Sequence, residues 1–389
     1  MALIPPPAVE EAWAPAARGA GGVVKGRVDA RRFVKHALAT ALSGMGVDAV
    51  LGAIFRGSAP LVVGYHRVVE DFESASRDAM AGMLVSRAML EQHLDRIGRR
   101  YRFVSLDELG EALRRGDPDT REVCAVTFDD GYRDVYENAM PLLVRKGIPA
   151  AVFVVSDLIG TARLQVHDRL FLALRAALGR PAVLDAVVAR QLETAAASPA
   201  QRERVEAASG DALAMTRALL HALTSDQLQG FLGDLEAEIG PAPGGDDSGL
   251  WPMTWGMLAD LRAKGFIVGS HTCRHALLAH ESPAVVAREA EASRRRIEAS
   301  IGGRVTHFAY PDGSFNTAAV RAIAQSGYQF AYTTCSHFDR AHPFLTISRR
   351  LLWERSSVDS SGRFAPAILD CQAQGFFAGS RGCRQKTHE

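Results

Sequence analysis

Val123-Cys124-Ala125-Val126-Thr127-Phe128-Asp129-Asp130-Gly131-Tyr132 opens with a continuous apolar run, Val123 to Val126, and places two adjacent acids and a glycine at its mouth. Apolar residues without polar alternation, bounded by a turn signal, read as a strand buried on both faces, as in parallel sheets. Two carboxylates just past such a strand stand at its C-terminal end, where α/β folds place their chemistry. Asp and Gly are also ordinary turn formers. Alone, the pair marks a turn before it marks a site.

About 140 residues downstream comes Phe266-Ile267-Val268-Gly269-Ser270-His271-Thr272-Cys273-Arg274-His275. It reads as a second short strand running into two histidines four apart. On one helical turn such side chains share a face, with Cβ atoms roughly 6 Å apart, within reach of one ion. The competing reading is two surface histidines in a loop. Both motifs follow strands of the same direction, so a parallel barrel brings them to one rim. Two imidazoles and one carboxylate make a three-ligand divalent site with open positions, the pattern of a catalytic metal.

The rest of the chain supplies the barrel. Strands are expected at 61–66, 102–105, 150–155, 307–310, 329–332 and 344–348, and helices at 89–94, 107–115, 134–146 and 255–264. Strands separated by helical returns argue for a parallel α/β architecture, and seven or eight of them for closure into a distorted (β/α)7–8 barrel. The alternation stops between 158 and 238, an Ala-, Leu- and Arg-rich stretch with helical spacing at Leu213, Thr216, Leu219, Leu220 and Leu223. It ends in a linker-like Pro/Gly segment, 241–249. The expected organisation is an N-terminal extension with an apolar helix (1–59), a barrel (60–159 and 250–360), a helical insertion (160–249) and a flexible tail (361–389).

With 389 residues, 47% of them hydrophobic, and a formal net charge of +1, the chain has ample core and no bulk charge to attract nucleic acid. Five cysteines in no Cys-x-x-Cys spacing fit a reducing compartment. Cys273, between the histidines, is left out of the ligand set. The start of the chain lacks a secretory pattern. The stretch 37–55 is apolar but carries Asp48 near its middle, which costs roughly 2.5–3.5 kcal/mol on insertion. It is read as a helix packed on the domain or lying on a membrane surface. The expectation is a cytoplasmic protein at the inner face of the membrane, in peripheral contact through residues 31–55. Nothing in the sequence bears on oligomeric state.

Three motifs in order resemble the polysaccharide deacetylases with a NodB homology domain. They are Thr127-Phe128-Asp129-Asp130-Gly131, then His271-Thr272 with His275, then Tyr310-Pro311 with Gly313; Gly64-Tyr65-His66-Arg67-Val68 is similar to a segment common in bacterial members. The resemblance covers roughly 60–155 and 250–350. It implies a distorted barrel that removes N-acetyl groups from amino-sugar polymers or oligomers with a divalent metal, zinc in the first place, with cobalt, nickel or manganese as alternatives. It also implies Asp130, His271 and His275 as ligands, Asp129 as general base, and the backbone N–H of Asp312 as an oxyanion donor. Tyr310 and Trp255 are each either a stacking surface for sugar rings or a core aromatic. Two positions depart from the family pattern. Ala309 stands where an arginine often orients the base, and the late segment 345–349 has Arg349 and no histidine. These departures motivate the alternatives: a carbohydrate-binding protein of the same fold without turnover, or an amidase acting on a small non-sugar amide. His167 and Asp168, at the start of the insertion, read as helix-cap or solvent residues before site residues.

Overall fold

The computed structural model describes residues 60–241 and 249–375. The apolar stretch at 31–55, most of the linker and the end of the tail lie outside the described residues. No helix among the described residues is long and apolar enough to cross a membrane.

Eight parallel segments form the central sheet: β1 (Leu61–Tyr65), β2 (Val123–Phe128), β3 (Ala150–Val154), β4 (Ile267–Ser270), β5 (His307–Ala309), β6 (Phe330–Thr333), β7 (Ile347–Ser348) and β8 (Arg350–Leu351). The first six are neighbours in chain order. β7 pairs with β6 (Ile347↔Tyr332) and β8 with β1 (Val63↔Arg350). β7 and β8 are separated only by Arg349, so one split segment touches both edges of the sheet and closes it into a barrel. The predicted strand at 344–348 is displaced towards Arg349. Pro343–Leu345 forms a single 3-10 turn, and pairing begins at Ile347. The short strand Arg102–Phe103 adds to the outer end of β2.

Residues of β1, β2 and β3 are buried throughout, which is why their sequence shows no alternation. The two faces nevertheless differ. Val62, Ala125, Ala151, Phe153, Ala309, Phe330 and Tyr332 pack together in one cluster, inside the barrel. Val63, Cys124, Val126, Val152, Val268 and Phe308 belong to the larger cluster under the helices. The interior is tight: a Cβ at Gly269 would lie 2.6 Å from the Phe153 ring.

The outer layer includes α1 (Arg87–Gly98), α2 (Leu106–Arg115), α3 (Met140–Lys146), then, beyond the insertion, α9 (Trp255–Ala263), α10 (Pro283–Ile301) and α11 (Thr317–Gln325). The insertion is five helices, α4 (Val166–Ala177), α5 (Pro181–Thr194), α6 (Pro199–Ala207), α7 (Ala212–Ala222) and α8 (Ser225–Ile239). Their apolar faces form a core of their own around Leu170, Leu174, Leu219, Phe231 and Leu235. Part of the stretch read as a flexible tail is ordered. Pro366–Ala373 is a helix, α12, which buries Ile368 and Leu369, and Arg96 of α1 holds its Asp370.

Candidate active site

Strand parity aims the first acid. Ala125 lies on the inner face, so Thr127 and Asp129 do too, and Asp129 meets Arg349 at the barrel's C-terminal end. The guanidinium forks onto the carboxylate, Nη1 to Oδ1 and Nη2 to Oδ2, both at 2.7 Å, with each side chain almost wholly buried. Burial alone would raise this carboxyl; the charge of Arg349, with His271 and His66 in support, holds it below its ordinary value. Asp129 is therefore an oriented carboxylate.

The second acid would point outward if the strand continued. It does not, because Asp130 and Gly131 both take left-handed backbone (φ 70° and 73°), a conformation Asp tolerates better than most residues and Gly adopts freely. That turn swings the Asp130 side chain onto the rim. Both of its oxygens are buried without a hydrogen-bond partner among the described residues. Instead they face imidazoles: His271 Nε2 at 3.6 Å and His275 Nε2 at 3.5 Å from Oδ1, and His167 Nε2 at 3.7 Å from Oδ2.

The histidine pair reaches this place by a route other than the helical turn its spacing suggested. His271 to His275 is an irregular turn in which Thr272 (φ 68°) and His275 (φ 60°) are both left-handed. Glu289 of α10, buried, holds it: its Oε2 accepts from the backbone N–H groups of Cys273 (2.8 Å) and Arg274 (3.1 Å). Arg274 continues to Glu289 Oε1 and to Asp226 of the insertion. His271 Nδ1 lies 2.7 Å from the Ala309 carbonyl oxygen, which can only accept. The Nδ1 of His271 must therefore carry the proton, leaving its Nε2 as a lone pair aimed at Asp130.

Electrostatics inside this cage are those of a site built for a cation. Burial, then the charges of Asp129 and Asp168, raises the Asp130 carboxyl well above its usual value. Burial lowers His271 to about 4, His167 to about 3 and His275 well below its ordinary value. The cluster is a carboxyl group without a hydrogen-bond partner among the described residues and three neutral imidazoles, a donor set that fits a divalent transition metal once the carboxyl is ionised. Among the described residues, Asp130, His167 and His275 form the group whose ligand atoms all lie within 4.8 Å of one another, and His271 falls outside it.

Sequence reading missed two residues here. The sequence around His167 reads as a cap or solvent position, yet the side chain is buried in the cage. Only the fold of the insertion brings it there, and no spacing to the other motifs signals it. Arg349 stands where the family pattern has a histidine, and its contact with Asp129 crosses 220 positions of sequence. His66, at the end of β1, also senses Asp129, His167, Arg349 and Asp312, and burial lowers it to about 4.

Of the remaining expected residues, Asp312 sits in the turn Pro311–Gly313 in left-handed backbone (φ 54°), and its carboxylate takes His221 of α7 at 3.0 Å. Tyr310 is not a stacking surface. It is 1% exposed, with its ring between Phe308 and Phe315, because it falls on the helix-facing side of its strand. Trp255 heads α9, half-buried, with its indole edge against Gly160.

This fold and rim are those of a known class of hydrolase. The family model described as polysaccharide deacetylase matches residues 116–196 and 217–331, just over half of the chain. The chain belongs to the polysaccharide deacetylase family. IcaB from Ammonifex degensii shares 18% identity and a TM-score of 0.50, over 82% of this chain and 98% of that one. The deacetylase PplD of Streptococcus pyogenes, solved in complex with acetate, shares 16% identity and a TM-score of 0.48, over 78% of this chain and 95% of that one. The BpsB deacetylase domain from Bordetella bronchiseptica shares 16% at a TM-score of 0.44, over 76% and 96%. At these identities the likeness to IcaB is one of fold. No curated protein matches the chain.

Proposed function

We propose that the protein is a metal-dependent N-deacetylase acting on a glycan that contains N-acetylated amino sugar. The observation that carries this reading is Asp130: a buried carboxyl with no hydrogen-bond partner among the described residues, ringed by imidazole nitrogens at 3.5–3.7 Å. A buried charge without a partner is costly, and a divalent ion removes that cost. Asp130, His271 and His275 would hold the ion, zinc before cobalt, nickel or manganese. Bound there, it supplies Lewis acidity towards an amide carbonyl and a lowered pKa for water.

The chain's own groups have complementary tasks. Asp129, beside the cage and ionised, is the base that takes a proton from the attacking water. Arg349 fixes both of its oxygens, so the absence of an arginine at Ala309 does not leave the base unoriented. This weakens the reading of a binding protein without turnover. The left-handed turn at Asp312 leaves its N–H outside the local turn hydrogen bonds, in which Gly313 and Ser314 donate. It is the donor we assign to the developing oxyanion. A cytoplasmic setting at a membrane face suits a lipid-linked or precursor glycan, and rests on the sequence of the N-terminal stretch.

Acetate release from N-acetylglucosamine oligomers tests the proposal. Release should stop on chelation, return with added zinc or cobalt, and fall by at least about 10²-fold in Asp129→Asn, the usual scale for losing a general base. Release that survives both EDTA and the substitution would sink it.

A further inference from the structure

We propose that His167 of the helical insertion is a fourth protein ligand of the ion held by Asp130, His271 and His275, so that the ion fastens the insertion to the barrel rim. This deepens the metal-site reading above and rests on it.

Geometry is the first argument. His271 and His275 both approach Oδ1 of Asp130, whereas His167 approaches Oδ2, with Nε2 at 3.7 Å. Nitrogen and oxygen ligands about 2.0–2.2 Å from one ion lie roughly 3.3–3.6 Å apart at near-tetrahedral angles, and expansion to five-coordinate keeps a position for water beside four protein ligands. The His271 and His275 distances fall within that spacing, and the His167 distance of 3.7 Å lies just above it. The His167 and His275 rings meet edge to face with centroids 4.8 Å apart, much as His271 and His275 do at 5.0 Å.

The second argument concerns the nitrogen's other neighbour. Tyr132 places its hydroxyl 2.8 Å from His167 Nε2 and 2.6 Å from Asp168 Oδ2. A phenol has one proton for these two neighbours. Given to Asp168, it leaves the phenol oxygen to accept from His167 Nε2–H, and the ion would take the place of that proton in the tautomer protonated on Nδ1. Asp168 then orients Tyr132, and Tyr132 limits where the ring can turn, as outer-shell groups do around metal ligands.

The third argument is mechanical. Both roots of the insertion are tied to the acid turn. At the entrance Gln165 donates to the Asp130 carbonyl (2.8 Å). At the exit the Trp251 carbonyl accepts from Arg133 N–H, and Met253 N–H donates to the Gly131 carbonyl, both at 2.8 Å. The helix carrying His167 therefore starts from a fixed point beside the cage. Most of the five-helix core packs apart from the main barrel core, with Leu172 of this same helix reaching the barrel cluster, so a ligand from this helix couples ion binding to the seating of the insertion.

Cobalt(II) on the metal-stripped full chain tests this, with affinity read by chelator competition, coordination by the visible spectrum, and seating by hydrogen exchange over 161–177. In wild type, cobalt should bind and slow exchange in that segment. In His167→Ala and in the bulkier His167→Gln, each checked for its fold by circular dichroism, affinity should fall by more than the roughly 10–100-fold that loss of an outer-shell partner costs. The spectrum should change, and protection of 161–177 by cobalt should be lost while that of 271–275 remains. Folded His167 variants that bind cobalt within twofold of wild type, with an unchanged spectrum, would overturn the inference and leave the metal site intact. Wild type that takes up no cobalt, or Asp130→Asn that binds it as wild type does, would overturn the metal site as well.

Discussion

Asp129 and Asp130 are chemically identical neighbours, and their surroundings separate them. One meets a guanidinium fork and stays ionised; the other meets only imidazoles and calls for a cation. Arg349→Ala should therefore act twice. It strands a buried carboxylate, at about 3–5 kcal/mol of stability, and it releases the base, so acetate release should fall even in protein that remains folded. Arg349→Lys retains the charge but not the fork, so it should recover much of the stability and little of kcat, with KM nearly unchanged. Thermal midpoints and kinetics on both variants check this; a lysine variant with wild-type kcat would contradict the positioning role. The sequence shows the acid pair plainly, because Asp-Asp-Gly follows an apolar run. It cannot show which acid does what, since that depends on a left-handed turn at Asp130 and on Arg349 from the far end of the barrel.

At the scale of elements, the turn 271–275 is the least regular part of the site and the most heavily braced. Its two left-handed residues carry a conformational cost of order 1–3 kcal/mol each, met by a buried carboxylate from α10 that accepts two backbone N–H groups. Glu289→Ala should leave the ligand side chains in place chemically but loosen their frame, weakening zinc binding by roughly 10–100-fold. Glu289→Gln, which keeps an acceptor, should lose less. Competition titration on both variants measures this, and equal affinity in the alanine variant would show that the turn holds itself. The spacing of the histidines announced a shared face but implied a helix. The helical insertion was legible from its apolar periodicity, whereas its contribution of His167 was not, because helical spacing reports which face is apolar and not what that face is placed beside.

The molecule as a whole closes through one split strand, and the segment after it carries a second buried histidine system away from the site. His93 of α1 sits between Ser357 (2.6 Å) and Tyr65 (3.3 Å), and burial lowers its imidazole to about 3. The sign follows from linkage. Below about pH 6.5 the unfolded chain protonates this histidine while the folded chain resists until about pH 3, so stability falls with pH across that window. Measured against His93→Gln, wild type should lose up to about 1.4 kcal/mol per pH unit as pH drops from 6.5 towards 4. Denaturation at a series of pH values reads the difference; a gap that stays constant would contradict it. Comparing two variants isolates His93 from Asp134 and Asp168, which burial raises to about 6 and which act in the opposite sense.

Local sequence specified what depends on neighbours along the chain. Apolar runs without alternation marked β1 to β3, helical periodicity marked the returns and the insertion, and turn residues marked where the acids and histidines leave their strands. Together these were enough for a parallel barrel with an acid pair and a histidine pair on one rim. Tertiary structure decided what depends on residues distant in sequence. It set the fork from Arg349 to Asp129, the brace from Glu289, the burial of Tyr310 behind its strand, and the arrival of His167 at Asp130. The physical reason is the same in each case. Backbone preference and burial pattern are written within a few residues, whereas the field and the lone pairs at a site are the sum of groups that only the closed fold brings within 4 Å.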